Sequence, residues 1–449
     1  MNICILLIDC LRPDHLGCYG YHRNTSPSID SIAKKGIIFG NAFAQSNWTY
    51  PSIYSMMTGR YPSTLALTWF NQRVNKEFDV LPEFLSRRNF HTAIFSPFKV
   101  LLNPEGFCSH FNEVRDVRLN DATPRLFKDW ISSHKDTFLL FHIAEYVHEP
   151  FCADEKNVDL FLEERKLREK ALKSDVVKAL TSKSSTGTGI RKTAGKVNKH
   201  LASLSGSDLK FLLTCYDAGI YQVDKAVGKI HEVLQSQNDD YLLILIADHG
   251  ESFMEHGVFG HGLTLYDEVI RVPLIVDYRN CKHTRISATV QLMDIFPSIL
   301  DFLQFGYDFK IDGISFAPAL AGSEISGRTS FSEGFPNIAL IKDNHKLLTS
   351  YSKFWDYKEV ASRFSGKKTS SRLRDILSII QRYWPAKLYD LEEDRRERVN
   401  LRWRKRDVYD DLNARLTKVM SEIQNETLQP EDKELEEEVR KQLELLGYL

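Results

Sequence analysis

Two apolar runs of the sequence end in side chains that could hold a metal ion. Asp9 follows the run Ile3–Ile8, and the pair Asp248 and His249 ends the run Tyr241–Ala247. A carboxylate at the end of a buried strand is costly unless a cation or backbone donors meet it. Two such sites, one with an adjacent imidazole, predict one divalent metal ion shared between them. Taken alone, Asp9 could equally be a helix cap.

A hydroxyl stands at a predicted helix start. Thr49 precedes Pro51, and Gly59 and Pro62 close the same segment, as is usual at the two ends of a helix. The free N–H groups and the dipole of a helix N-terminus favour an anion, which could be phosphate, sulfate or an alkoxide on Thr49. The spacing alone favours the simpler alternative that Thr49 is only an N-cap.

Three histidines are further candidates. His148 lies before Pro150 and beyond an apolar run, where it could donate a hydrogen bond to a substrate oxygen or a proton to a leaving group. His256 and His261 lie among glycines downstream of Asp248, which is typical of a loop that approaches a ligand closely. For each of them, an ordinary surface or core histidine is the alternative.

The elements that must position these residues follow a doubly wound α/β pattern. Runs that are apolar on both faces fit buried, mostly parallel strands, and the segments between them have the spacing of covering helices. The predicted strands are Ile3–Ile8, His91–Phe95, Thr137–Ile143, Tyr241–Ala247 and Pro273–Asp277. The predicted helices are Ser28–Lys35, Leu81–Arg88, Thr123–Ser133 and Leu209–Ser236. Because chemistry collects beyond the carboxyl ends of such strands, we expect Asp9, the His148 region and Asp248 to converge there.

The pattern also predicts two domains. Residues 1–330 are expected to form the catalytic domain, interrupted at 153–207 by a charged insertion that is either a lid or an inert surface excursion. Residues 331–449 are expected to form a small C-terminal α+β subdomain that ends in an amphipathic helix over 430–449. The Ser/Thr/Gly-rich patch at 182–189 predicts a flexible part of the insertion. The short strands expected in the subdomain lie around Gly334–Ser350 and Lys387–Leu391.

Composition narrows the partners and the compartment. In 449 residues, 59 Lys and Arg face 60 Asp and Glu, so no overall field points to nucleic acid or an anionic membrane, and a small-molecule or glycan substrate is expected. Seven scattered cysteines without a C-x-x-C spacing favour a reducing compartment. The N-terminal apolar run lacks signal-peptide features, and the apolar runs fall far short of about 20 residues. We therefore expect a cytoplasmic location and no membrane contact. The oligomeric state stays open.

Taken together and in chain order, these stretches resemble the sulfatase branch of the alkaline phosphatase superfamily. The stretches that carry the resemblance are Asp9–Gly20, Thr49–Ile53, Thr58–Pro62, His148–Phe151, Ala247–Glu251, Leu265–Pro273, Gln291–Pro297, Asp312–Ser315, Leu388–Leu391 and Leu446–Tyr448. The resemblance implies the alkaline phosphatase-like fold and metal-dependent ester chemistry. It implies that Asp9, Asp248 and His249 hold one metal ion, with Thr49 as nucleophile and fourth ligand.

The nucleophile position departs from the family pattern. Sulfatases carry Cys or Ser there, oxidised to formylglycine, with Pro and Arg two and four residues later. This chain has Thr49, keeps Pro51 and has Ile53 in the place of Arg. Thr cannot become formylglycine, so we expect an unmodified alkoxide. Since Thr nucleophiles in the superfamily belong to phosphodiesterases, phosphatases and phospho-group transferases, the resemblance favours phosphate esters.

The other implied roles concern the metal and the substrate. Cys10 stands where sulfatases have a second Asp, which favours Mn²⁺ or Zn²⁺ over Ca²⁺, with Mg²⁺ possible. His148 and His261 are expected to bind substrate oxygens or protonate the leaving group, and His256 to touch substrate. Arg12 is expected either to hold a substrate oxygen or to be a structural ion-pair partner.

The sequence therefore predicts a metal-dependent phosphoester hydrolase, acting on a diester or a monoester. Three alternatives stay open: a sulfuric ester hydrolase, a phospho-group transferase on the same site, and a non-catalytic binder of anionic glycans. Fold alone does not decide between them.

Overall fold

The structure is a computed structural model of the chain. It describes residues 1–65, 78–98, 101, 106–182, 204–237, 239–334, 337–350 and 385–426.

A large, mostly parallel sheet forms the centre of the molecule. Its eight strands lie in the order β10-β2-β9-β6-β1-β5-β3-β4, and β9 runs antiparallel to both of its neighbours. Every residue of β1 is buried, because helices cover the sheet and its strands carry apolar side chains on both faces. A short hairpin, β7 and β8, follows β6, and a four-stranded antiparallel sheet, β11 to β14, lies towards the C-terminus. The strands are β1 (Asn2–Ile8), β2 (Ile37–Phe43), β3 (His91–Ser96), β4 (Glu113–Asp116), β5 (Thr137–Ile143), β6 (Tyr241–Ile246), β7 (Ser252–Phe253), β8 (Phe259–Gly260), β9 (Arg271–Tyr278), β10 (Thr284–Gln291), β11 (Thr329–Gly334), β12 (Asn337–Lys342), β13 (His345–Ser350) and β14 (Lys387–Asp390).

The helices flank this sheet. The longest of them, α8, begins with a reciprocal cap in which Ser205 accepts from the N–H of Asp208 while the Asp208 carboxylate accepts from the N–H of Ser205, an arrangement that satisfies two free donors of the first turn. The helices are α1 (Pro27–Ala33), α2 (Thr49–Thr58), α3 (Leu81–Ser86), α4 (Thr123–Ser133), α5 (Glu155–Phe161), α6 (Arg165–Ala171), α7 (Asp175–Thr181), α8 (Gly206–Ser236), α9 (Asp267–Ile270), α10 (Ile295–Phe302), α11 (Ala317–Leu320) and α12 (Arg406–Glu426).

The doubly wound α/β architecture with a small C-terminal antiparallel sheet is confirmed. The predicted strands and helices appear with shifts of a few residues at their ends, and Thr123–Ser133 and Thr137–Ile143 match to the residue. The sequence missed β2, β4, β7, β8 and β10, and the helices α9 to α12. The first contains Gly40 and Asn41 within its apolar run, while β4 and β10 are the edge strands and carry exposed polar side chains.

The C-terminal strands have an apolar core of their own. Leu412, Leu416 and Met420 of α12 pack against Phe331 and Leu347 of the small sheet. The helix predicted over residues 430–449 lies outside the described residues. A domain boundary after residue 330 stays a prediction.

The insertion begins as three short helices. In the part of the chain that the structure describes, α5, α6 and α7 each contact α8. Apart from Ser182, the Ser/Thr/Gly-rich patch at 182–189 lies outside the described residues, so a lid stays a prediction. No helix in the described ranges combines the length and the apolar character needed to cross a bilayer.

Candidate active site

Three neighbouring strands bring the predicted site together. β1 pairs in parallel with β5 on one side and β6 on the other, with Leu7 opposite both His142 and Ile246. The strands therefore end at the same edge of the sheet, and the Asp9 N–H still donates to the carbonyl of Ile143 at 2.9 Å. The convergence expected at this edge is thus observed.

Four oxygen and nitrogen atoms face one another at this edge. The Nε2 atom of His249 lies 3.2 Å from Thr49 Oγ1, 3.6 Å from Asp9 Oδ1 and 3.4 Å from Asp248 Oδ2. Among the described residues, Asp9 Oδ1 and Asp248 Oδ2 have no hydrogen-bond partner although both are buried. Two orphaned carboxylate oxygens, an imidazole and a hydroxyl at these separations are the donor set that a divalent metal ion takes. The predicted ligands therefore fit a metal ion.

The loop after β1 has a shape that the sequence did not reveal. Cys10 has a φ of 61°, in the left-handed region that non-glycine residues seldom adopt. Tyr216 of α8 fixes this turn, because its hydroxyl donates to the Cys10 carbonyl at 2.7 Å and accepts from the Arg12 N–H at 2.9 Å. Position 250, directly after His249, requires glycine, because a Cβ there would lie 2.2 Å from the Glu268 carbonyl oxygen.

Thr49 is the first residue of α2 rather than its cap. Trp48 occupies the N-cap position, and Thr49 is buried with its hydroxyl towards His249. The N-cap alternative for Thr49 therefore does not hold. The free N–H groups at this helix N-terminus favour an anion bound next to Thr49.

The two aspartates have pKa values shifted in opposite directions. Burial opposes ionisation of Asp9, but His148, the hydrogen bond from His142 and the nearby His249 hold its pKa well below its usual range. Burial, followed by the charge of Asp9, raises the pKa of Asp248 to about 7. Two buried carboxylates this close compete for positive charge, and a divalent cation between them would satisfy both.

A second group of titratable residues adjoins the first. Burial opposes protonation of His148, yet Asp9, Glu149 and Glu251 raise its pKa to about 9. Burial and the neighbouring charge of His148 lower the pKa of His261 to about 4. At neutral pH one imidazole of this pair therefore holds a proton and the other is neutral.

The remaining two predicted substrate contacts are engaged elsewhere. The guanidinium of Arg12 forms ion pairs with Asp14 and Glu255. This matches the alternative that Arg12 is a structural ion-pair partner. His256 stacks on Tyr266 at 3.5 Å between ring centroids and bonds Glu268 at 2.8 Å. A substrate contact for either residue stays a prediction.

Two groups of site residues were missed from the sequence. His142 lies within the buried strand β5 and places its Nε2 atom 3.2 Å from Asp9 Oδ2. A histidine inside an otherwise apolar run was the available signal. Glu149 and Glu251 both approach His261, and their proximity to each other depends on the fold.

A family model named Sulfatase matches residues 1–305 of the chain. The chain belongs to the sulfatase family. Members of this family generally depend on a divalent metal ion, and the described residues of this sulfatase-family protein include groups able to hold one. The identity of that ion stays a prediction.

Curated relatives of this sulfatase-family protein are sulfatases. Iduronate 2-sulfatase of Mus musculus is 40% identical over 95 residues, a match that covers 20% of this chain and only 17% of that protein. The ulvan-active sulfatase of Formosa agariphila is 24% identical over 422 residues, covering 89% of this chain and 75% of that protein.

Solved structures share the fold of this sulfatase-family protein. A 2-O GAG sulfatase superposes with a TM-score of 0.70 at 16% identity, covering 96% of this chain and 95% of the other. The phosphonate monoester hydrolase of Agrobacterium radiobacter superposes with a TM-score of 0.63 at 16% identity, covering 95% and 96%. These likenesses at 16% identity show the shared fold, and the expectation of a hydrolase rests on the family match. The preference for phosphate esters gains no specific support, and the sulfuric ester alternative is the better supported of the two.

Proposed function

We propose that this protein is a metal-dependent hydrolase of sulfuric esters on a small molecule or a glycan. The observation that carries the proposal is the meeting of Thr49, Asp9, Asp248 and His249 around two orphaned carboxylate oxygens. Sulfatases among the relatives and among the structural neighbours favour sulfate as the group that is cleaved. One neighbour is a structure in complex with D-glucosamine-2-N,6-O-disulfate, which makes sulfated sugars a reasonable first substrate class.

Asp9, Asp248 and His249 would hold the metal ion together with the Thr49 oxygen. A bound divalent ion supplies Lewis-acid polarisation and lowers the pKa of a coordinated hydroxyl. His142 is a positioning residue, because its hydrogen bond fixes the second oxygen of the Asp9 carboxylate and leaves the other oxygen for the metal.

The chain's own residues then perform a two-step substitution. The Thr49 hydroxyl loses its proton to solvent, its oxygen attacks sulfur, a new O–S bond forms, and the ester O–S bond breaks. The leaving oxygen takes a proton from His148, whose Nε2 atom is buried and without a partner among the described residues. Water then attacks sulfur, one of its protons returns to the Thr49 oxygen and the other to His148, and sulfate leaves.

A second candidate is hydrolysis of phosphate or phosphonate esters, and Thr49 itself favours it. Thr49 carries one hydroxyl, so it has no second oxygen on the same carbon to expel the transferred group, and water must cleave the covalent intermediate. In-line substitution at phosphorus by an alkoxide proceeds in this way. The phosphonate monoester hydrolase among the structural neighbours agrees with this candidate.

A matched substrate series separates the two candidates. We would assay metal-stripped protein, reconstituted with Mn²⁺, Zn²⁺, Mg²⁺ or Ca²⁺, on the sulfate, phosphate monoester, phosphate diester and phosphonate monoester of one aryl alcohol. The proposal expects the highest kcat/KM on the sulfate, with loss of turnover in Thr49→Ala. Preference for a phosphorus ester, also lost in Thr49→Ala, would replace the first candidate by the second. No turnover on any ester by correctly folded, metal-loaded protein would overturn both.

A further inference from the structure

The pocket contains two carboxyl groups beyond those assigned to the first metal site. Asp9 and Asp248 line the first metal site, and the carboxylates of Glu149 and Glu251 lie beside it. The nearby guanidinium of Arg12 donates to the Glu251 backbone carbonyl at 2.9 Å but is already paired with acidic side chains. A pocket that receives an anionic ester needs a positive field, and a second cation beside these four carboxyl groups would strengthen the field that His148 and the first cation provide.

The two glutamates form a ligand group of their own. One atom from each of Glu149, Glu251 and His261 lies within 4.8 Å of the others. The Nδ1 atom of His261 is 3.1 Å and 3.3 Å from the two oxygens of Glu251. Gly260 faces the same space, because a Cβ there would lie 3.8 Å from one oxygen of Glu251 and 4.0 Å from one oxygen of Glu149. A glycine at this position leaves that space free of a side chain.

An unpartnered imidazole points to a ligand at the same place. His148 is only 5% exposed, and its Nε2 atom has no hydrogen-bond partner among the described residues. A nitrogen of His148 lies within 4.8 Å of ligand atoms of His261 and Cys10. A buried nitrogen without a partner is costly and indicates that a metal ion or a substrate atom fills this space.

We propose that Glu149, Glu251 and His261 hold a second divalent cation beside the one held by Asp9, Asp248 and His249. The inference rests on the proposed function in one respect, the first metal site. It does not depend on which ester is cleaved.

The two sites are contiguous. Cys10 Sγ lies 3.8 Å from His249 Nδ1 and 3.6 Å from His261 Nδ1, and the rings of these two histidines are 4.4 Å apart between centroids. Two-metal hydrolases hold their ions about 4 Å apart, so that both ions contact one ester group. Carboxylate and imidazole ligands suit Mn²⁺ or Zn²⁺.

The competing arrangement is a hydrogen-bonded pair without metal. In it, Glu251 only orients His261, and a proton shared with Glu149 reduces the negative charge of the two carboxyl groups. Metal content distinguishes the two arrangements without any turnover.

The test is a count of bound metal in four proteins. Metal-stripped wild type, Glu251→Gln, Glu149→Gln and the control Glu145→Gln would each be reconstituted with Mn²⁺, desalted and measured for Mn²⁺ per chain and by electron paramagnetic resonance. Glu145 is a matched control because it lies in the same loop, is largely buried, and has both oxygens unpartnered among the described residues, yet it belongs to none of the ligand groups. We expect two spin-coupled ions in wild type and in Glu145→Gln, and one uncoupled ion in the other two variants.

Two results would overturn the second site. One is a single uncoupled ion in wild type; the other is an undiminished count in Glu251→Gln and Glu149→Gln. Thermal unfolding of the metal-free variants guards against misfolding, and Asp248→Asn removes the first ion as an independent check. Failure of ester turnover with two ions still bound would count against the proposed function alone.

Discussion

Thr49 presents one hydroxyl to the imidazole of His249, and the proposed chemistry depends on that oxygen. Thr49→Ala should lower kcat by about 10³-fold or more, because the nucleophile is lost. Thr49→Ser keeps the oxygen and should retain measurable turnover. Steady-state kinetics on the best substrate, with metal content measured alongside, checks this. Equal activity in Thr49→Ala and wild type would remove Thr49 from the reaction.

A substitution of His142 tests a residue that positions a metal ligand, rather than the ligand itself. Its Nε2 atom holds Asp9 Oδ2, and its Nδ1 atom lies 2.9 Å from Ser96 Oγ. His142→Gln should weaken metal binding about 10- to 100-fold, as is usual when a group that orients a ligand is lost. Titration against a chelating indicator measures this. Ser96→Ala is the control and should change affinity less, since it leaves the bond to Asp9 intact.

At the scale of elements, helix α8 holds two site loops in place. Tyr216 pins the turn after β1, and Gly219 lies against the loop after β5, where an added Cβ would be 2.1 Å from the Tyr146 carbonyl oxygen. Gly219→Ala should therefore destabilise the protein by about 1–3 kcal/mol through overpacking, although alanine by itself favours a helix.

Gly206→Ala is the matched control on the same helix. A Cβ at Gly206 would have no neighbour within 4 Å, so its substitution should leave the unfolding temperature unchanged or slightly higher. Denaturant or thermal unfolding of the two variants makes the comparison. A Gly219→Ala protein as stable as Gly206→Ala would show that α8 does not clamp this loop.

The elements also show how far sequence reasoning reaches. Strands apolar on both faces, such as β1 and β5, were predictable from their pattern, and a parallel sheet then requires their carboxyl ends to meet. That logic located Asp9 and Asp248. It could not locate Glu149 against Glu251, because their proximity depends on loop shapes after different strands, which no periodicity encodes.

At the scale of the whole molecule, His256 connects the loop after β7 with helix α9 and with the segment after β14. His256 bonds Glu268 through Nδ1 and the carbonyl of Arg396 through Nε2. Burial opposes protonation of His256, but Glu268 raises its pKa above the ordinary 6.5. A raised folded pKa means that this stabilisation is complete below the unfolded pKa and is lost as pH rises through the folded pKa.

The wild type should therefore lose more stability than His256→Gln as the pH rises from about 6 to 9. Unfolding temperatures at fixed ionic strength across that range measure the difference. Parallel pH profiles for the two proteins would show that the pair contributes nothing to the folded state.

The most direct measurement is the metal dependence of ester hydrolysis in wild type and Asp248→Asn. Asp248 supplies one of the two orphaned oxygens, and Asp248→Asn is nearly isosteric and keeps the Thr49 nucleophile. Metal-stripped wild type should regain turnover when the metal is restored, while Asp248→Asn should remain at least about 10²-fold slower at the same metal concentration. Wild-type turnover that is unchanged by metal removal, or equal turnover in Asp248→Asn and wild type, would contradict a metal-dependent site at this edge of the sheet.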